Sequence, residues 1–188
     1  MFSGSGILDR AVEEATGGTV VWQCETDHAA KAVLAKHWPG VPNLGDVRNI
    51  NWSQVRWGVS PIDLLCGGFP CTDISDAGTR EGLRPGTQSG LWSEMVRAID
   101  CLRPPQVLIE NVRALLTTPA NRASTIRVHE ARSNMGSSPQ VMDTGIGAVL
   151  GDLADLGYDA EWQVLSASGV GAPHRRQRIF IVAHTSFF

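Results

Sequence analysis

The chain has 188 residues, 43% hydrophobic and 19% charged, with a formal net charge of −3. That length holds one domain with an adequate core, and the composition excludes disordered, fibrous and collagen-like chains. No apolar run reaches the roughly 18 residues of a membrane span. The first residues lack the basic start and apolar core of a secretory leader, so a cytoplasmic setting is expected. An acidic balance argues against strong nucleic-acid binding by this chain alone. The four cysteines, Cys24, Cys66, Cys71 and Cys101, have neither CxxC spacing nor a zinc pattern. Neither a metal nor a disulfide framework is expected. Cys24, Cys66 and Cys101 sit in apolar sequence and read as small buried hydrophobes.

In chain order, Phe2–Gly6 reads as a glycine turn and Ile7–Ala15 as a short helix. Thr19–Cys24, β-branched and apolar, reads as a strand. Glu25–His37 reads as a helix closed by Trp38-Pro39-Gly40. Ile62–Leu65 is an apolar strand that runs into the turn Cys66-Gly67-Gly68-Phe69-Pro70-Cys71. Gly78, Gly82, Gly86 and Gly90 punctuate a long polar loop. Leu91–Leu102 reads as a helix stopped by Arg103-Pro104-Pro105, and Gln106–Ile109 as a strand ending at Glu110. Ala120–Gly145 is polar and reads as a flexible insertion. Ile146–Leu156 is a helix, and Glu161–Ala167 and Ile179–His184 are two closing strands. Alternating strands and helices predict an α/β fold, a mostly parallel sheet with helices on both faces, in one domain over residues 1–188.

Several short stretches carry chemistry. The turn Phe2-Ser3-Gly4-Ser5-Gly6 opens a helix, where backbone approaches a ligand closely. Glu25 follows the predicted strand nineteen residues after Gly6, the offset at which nucleoside-binding folds hold ribose hydroxyls; a helix-start acid is the plainer reading. Gly45-Asp46-Val47 offers an Asp that could accept from an adenine amino group, or is only a turn. Cys71 follows a proline at the carboxyl end of a buried strand, on the edge where open α/β sheets bind ligands. A nucleophilic role needs a lowered thiol pKa; a structural cysteine is the competing reading. Glu110 ends the neighbouring predicted strand and so shares that edge. Arg176 and Arg178, two apart in Arg175-Arg176-Gln177-Arg178, share a face on entering the last strand.

In this order the stretches resemble the cytosine-C5 DNA methyltransferases. The matching set is Phe2-Ser3-Gly4-Ser5-Gly6, Glu25, Gly45-Asp46-Val47, Gly68-Phe69-Pro70-Cys71, Gly90-Leu91-Trp92, Glu110-Asn111-Val112 and Gly171 to Arg178. The resemblance implies a Rossmann-like S-adenosyl-L-methionine-dependent fold whose last two strands pair antiparallel. It implies that Cys71 attacks C6 of a cytosine flipped out of duplex DNA. Glu110 would hold and protonate N3, Arg178 would bind O2, and Arg176 would support the site. For the cofactor it implies Phe2 stacking near the adenine, Glu25 on the ribose and Asp46 on the amino group. Pro70 and Leu91 would line the pocket, with Gly4, Ser5, Gly6, Thr26 and Val47 completing the set. Ser75 would contact phosphate on a closing loop, and Asn111 would lie on the substrate side.

The chain departs from the family pattern in places. Thr72 stands where a Gln is usual, and Ile7 where a second glycine is usual. The first strand is nearly absent, and neither the target-recognition domain nor the late segment follows the arginine motif. A second polypeptide supplying target recognition, a longer chain, or a remnant would each account for this. The competing functions are an inactive S-adenosyl-L-methionine-binding subunit, a tRNA cytosine-C5 methyltransferase, and a thiol hydrolase using Cys71 with His174.

Overall fold

The structure, a computed structural model, describes residues 1–58, 61–70, 91–118 and 144–185. Its helices are α1 (Ile7–Thr16), α2 (His28–His37), α3 (Trp52–Gly58), α4 (Trp92–Leu102) and α5 (Gly145–Asp155). Its strands are β1 (Leu64–Gly67), β2 (Gln106–Val112), β3 (Tyr158–Ser166) and β4 (Gln177–Thr185). They form one mixed sheet in the order β1-β2-β4-β3. β1 and β2 pair in parallel, whereas β4 runs antiparallel to both β2 and β3. The closing strands therefore pair as the resemblance implied. Among the described residues, no helix is long and apolar enough to cross a membrane.

Helices cover both faces of the sheet at β1. Neighbouring strand residues point to opposite faces. Cys66 directs its thiol to Asp9 on α1, 3.5 Å away. Gly67, on the other face, lies against Met95 of α4. On that second face Val107, Ile109, Ile179, Ile181 and Ala183 are completely buried against Met95, Ala98 and Ile99 of α4 and Val149 and Leu153 of α5. Burial of each large aliphatic side chain contributes roughly 1.5–3 kcal/mol. The Tyr158 hydroxyl donates to the Pro104 carbonyl at 2.6 Å, fixing the start of β3 beside the entry to β2.

Tertiary pairing moves several predicted boundaries. Thr19–Cys24 forms no ladder; a single bridge joins Gln23 to Asn43. Extended backbone becomes a strand only beside another strand, and here the partners are loop and helix groups: Val20 N–H donates to Glu13, Gln23 N–H to Pro42, and Ser3 N–H to Cys24. The helix expected from Glu25 begins at His28, because Asp27 caps it and Glu25 accepts from Thr26 and Asp27 N–H, folding those residues into a turn. The first sheet strand lies at Leu64–Gly67 rather than Ile62–Leu65, where its pairing with β2 begins. β2 continues through Glu110 to Val112 because β4 pairs with it that far. β3 and β4 reach Tyr158–Ser166 and Gln177–Thr185, held by nine consecutive pairs. Of the expected insertion 120–145, Thr144 caps α5 and Gly145 begins it; residues 120–143 lie outside the described residues. The glycine-hinged loop expected over Ser75–Gly90 also lies outside them.

Candidate active site

The carboxyl edge of the parallel pair collects three chain segments. β1 delivers Gly68-Phe69-Pro70, β2 delivers Glu110, and antiparallel β4 delivers Arg178 from its amino end. Glu110 lies opposite Phe180, and Arg178 opposite Val112, so the two charged residues are diagonal neighbours on one face. Arg178 Nε donates to Glu110 Oε1 at 2.7 Å, with the side chains 23% and 30% exposed. The pair is thus ordered yet reachable. Gly68 passes so close that a Cβ there would sit 2.9 Å from Glu110 Oε2 and 3.1 Å from its backbone oxygen. Only glycine admits the carboxylate at this distance.

Beneath that edge, Asn111 is buried at 3% exposure. Its Nδ2 donates to the Phe69 carbonyl at 3.3 Å and its Oδ1 accepts from Val112 N–H at 2.7 Å. It holds the Phe69-Pro70 turn to β2. The Phe69 ring packs on Trp92 with centroids 5.3 Å apart, and Trp92 Nε1 donates to Asp152. Pro70, partly buried, is the last described residue before 71–90, so Cys71 and Ser75 lie outside the described residues. Arg176 is exposed one residue before β4, and its carbonyl accepts from Ala167 N–H. The structure brings Glu110 and Arg178 together and leaves the Arg176 side chain apart from them.

A second cluster organises the N-terminal turn. Glu25 Oε2 accepts from Gly4 N–H at 2.7 Å, and Oε1 accepts from Thr26 and Asp27 N–H at 2.7 and 2.8 Å. Phe2 has a left-handed backbone, φ 53°, and packs partly buried on the core. Ser5 and Thr26 are exposed, and Gly6 is buried beneath Trp38. Val47 is buried; Leu91 is half-buried against the core. Asp46 caps a short turn over Val47–Asn49 and binds Arg48, whose Nε lies 2.9 Å from Oδ1. Those hydrogen bonds hold its carboxyl below the usual carboxylate range. Sequence reasoning missed Asn43, whose Oδ1 accepts from Glu25 N–H at 3.1 Å and Gly45 N–H at 2.9 Å. The Pro42-Asn43 turn signal preceding Gly45 was its only mark.

Cys24 is buried, as expected, whereas Cys66 and Cys101 are only partly so. Burial pushes both the Cys24 and Cys66 thiols up to about 11, with Asp9 adding to the effect. Neither is a nucleophile at neutral pH. Among the described residues no cluster of three or more metal-ligating side chains occurs.

A mixed sheet flanked by helices, with a glycine turn, an acid and a charged pair along one edge, defines a Rossmann-like methyltransferase fold. Solved structures agree. The Schizosaccharomyces pombe Dnmt2 methyltransferase superposes with TM-score 0.67 at 16% identity, covering 100% of this chain and 50% of that one. Entamoeba histolytica methyltransferase EhMeth gives 0.68 at 17% identity, covering 100% and 52%. The model of the C-5 cytosine-specific DNA methylase family matches residues 1–136 and 144–186, and the chain belongs to that family. Type II methyltransferase M2.BsuMI of Bacillus subtilis is 33% identical over 187 residues, spanning 97% of this chain and 40% of the relative. Type II methyltransferase M.MspI of a Moraxella species is 30% identical, spanning 97% and 37%. The chain thus covers less than half the length of these curated relatives.

Proposed function

We propose that the chain is the cofactor-binding and catalytic part of a DNA (cytosine-5-)-methyltransferase. The observation that carries this reading is the Glu110–Arg178 pair set against Gly68 at the carboxyl edge of the parallel strands. A carboxyl group and a guanidinium side by side match the N3 and O2 edge of a cytosine. Cys71, next in the chain after Pro70, forms a bond from its sulfur to C6 of a cytosine flipped from the duplex. Glu110 donates a proton toward N3 and Arg178 hydrogen-bonds O2, so charge developing in the ring is offset where it forms. C5 then takes the methyl group. Loss of the C5 proton to a base and cleavage of the C6–S bond restore the aromatic ring and release the Cys71 thiolate. Arg176 steadies this edge from the loop before β4.

S-adenosyl-L-methionine supplies an electrophilic methyl group, and the residues present fit it. An ionised carboxylate offers about four acceptor sites, and Glu25 has three filled by backbone N–H groups, leaving one for a ribose hydroxyl. Ser3 Oγ is buried without a hydrogen-bond partner, and the space beside Gly4 is open. Phe2, Gly4, Ser5, Gly6, Thr26, Asp46, Val47, Pro70 and Leu91 surround the rest of the ligand. Asp46 shares its carboxylate between Arg48 and the adenine amino group. Ser75 contacts DNA phosphate, and Asn111 positions the Phe69-Pro70 turn.

The test is transfer of a labelled methyl group from S-adenosyl-L-methionine to mixed-sequence duplex DNA, with Cys71→Ala as control. Incorporation that depends on Cys71 supports the proposal. Incorporation retained in the variant removes Cys71 as nucleophile. Cofactor binding with no transfer under any condition favours a silent binding subunit.

A further inference from the structure

Two of the segments proposed to surround the cofactor lie far apart in the chain: the turn after Asp46, which carries Val47, and Leu91 at the start of α4. One side chain joins them. Arg97 of α4 donates from Nη2 to the Val47 carbonyl at 2.8 Å and from Nη1 to the Ile50 carbonyl at 2.9 Å. Glu94, three residues earlier on α4, accepts from Nε and Nη2 at 2.8 and 2.6 Å and so fixes the plane of the guanidinium. The turn needs such a brace. Its own closing bond, from Ile50 N–H to the Val47 carbonyl, is long at 3.4 Å, so Arg97 is the nearer partner of that carbonyl. The Arg97 and Glu94 side chains are 42% and 23% exposed, so their attraction adds little to folding. Arg97 also borders a hollow of ≈ 410 Å³ shared with Arg48, Asn49 and Ser53. Solvent entering there can satisfy a carbonyl that loses its arm, so the fold tolerates replacement of Arg97.

We propose that Arg97 is a positioning residue for the adenine: it holds the Val47–Ile50 turn on α4, so that Asp46 and Leu91 keep one fixed spacing. The proposal rests on the cofactor reading above. Arg97 hydrogen-bonds the turn at backbone carbonyls, so its effect reaches the ligand through Asp46, which caps that turn with its side chain on Arg48 N–H. A carboxylate that accepts from the adenine amino group rejects a purine with oxygen in that place, because two facing acceptors leave each other unpaired. Arg97 thereby sets purine selectivity without contacting the purine. Lysine keeps the charge but carries one nitrogen in place of the planar fork, so it cannot serve Glu94 and both carbonyls together.

The test is calorimetric binding of S-adenosyl-L-homocysteine and of S-inosyl-L-homocysteine, whose ring has a carbonyl where adenine has its amino group. Wild type should prefer the adenine ligand by about tenfold, the worth of one paired hydrogen bond. In Arg97→Lys the affinity for S-adenosyl-L-homocysteine should fall about tenfold and that for S-inosyl-L-homocysteine less than about threefold, so the preference shrinks. Without ligand, exchange of the Asn49 amide, bonded to the Asp46 carbonyl at 3.0 Å, should quicken in the same variant. Glu94→Gln, which keeps an acceptor for the fork, should shift both readouts the same way by less, and decides the question if Arg97→Lys does not fold. Equal losses for the two ligands overturn the proposal, because a general loss of structure produces them. An unchanged preference overturns it as well, and so does unchanged exchange at Asn49. Wild type that binds neither ligand overturns the cofactor reading and this proposal together. Wild type that binds the adenine ligand, with a variant that matches it, overturns this proposal alone.

Discussion

Glu110→Gln separates chemistry from structure at the proposed site. The amide keeps the shape of the side chain, so the close passage of Gly68 is undisturbed. What changes is charge: Arg178 loses the ionic partner 2.7 Å away, and the site loses a proton donor. With both side chains about a quarter exposed, the ion pair contributes on the order of 0–1 kcal/mol to folding. Loss of a positioned acid costs on the order of 10²- to 10⁴-fold in rate, or about 3–5 kcal/mol of barrier. Activity should therefore fall by at least a hundredfold while the urea midpoint moves little. Labelled-methyl transfer and urea unfolding on the same preparation measure the two effects. A loss below tenfold would refute the role of Glu110 as acid. A large loss of activity matched by an equally large loss of stability would show that the residue acts through the fold.

Three other perturbations probe the supports of the site. Gly68→Ala should push the Glu110 carboxylate aside, lowering transfer at least tenfold for a destabilisation of roughly 1–3 kcal/mol; wild-type rates would contradict the close approach. Glu25→Ala removes the acceptor for three backbone N–H groups and the proposed ribose contact, so calorimetry should show S-adenosyl-L-methionine bound roughly 10- to 150-fold more weakly; an unchanged dissociation constant would contradict that contact. The Cys24 thiol, raised from near 9 to about 11 in the fold, gives a pH signature. Its folded value exceeds its unfolded one, so the associated stability is fully present below about pH 9 and is lost as pH rises toward 11. The loss reaches up to about 3 kcal/mol. Urea midpoints at pH 8 and 10.5 measure it, and Cys24→Ala should remove about half of the dependence, because the Cys66 thiol is raised to about 11 as well.

Local sequence determined much of this protein. Helix α1 and the ends of α4 and α5 follow from apolar spacing and from stop signals such as Arg103-Pro104-Pro105, which act within a few residues. The resemblance carried by the order of short motifs implied one site for Glu110 and Arg178, and the antiparallel pairing of β4 with β2 is what brings the start of one strand beside the end of the other. Whether an extended segment becomes a strand is a different kind of question, since ladder hydrogen bonds need a partner remote in sequence. Thr19–Cys24 has strand composition yet only one bridge, while Glu110 lies inside β2 because β4 pairs beyond it. Only tertiary structure decided that Asn43 braces Glu25 and that Gly68 lies against Glu110. Each is a contact between groups whose separation along the chain says nothing about their distance in space.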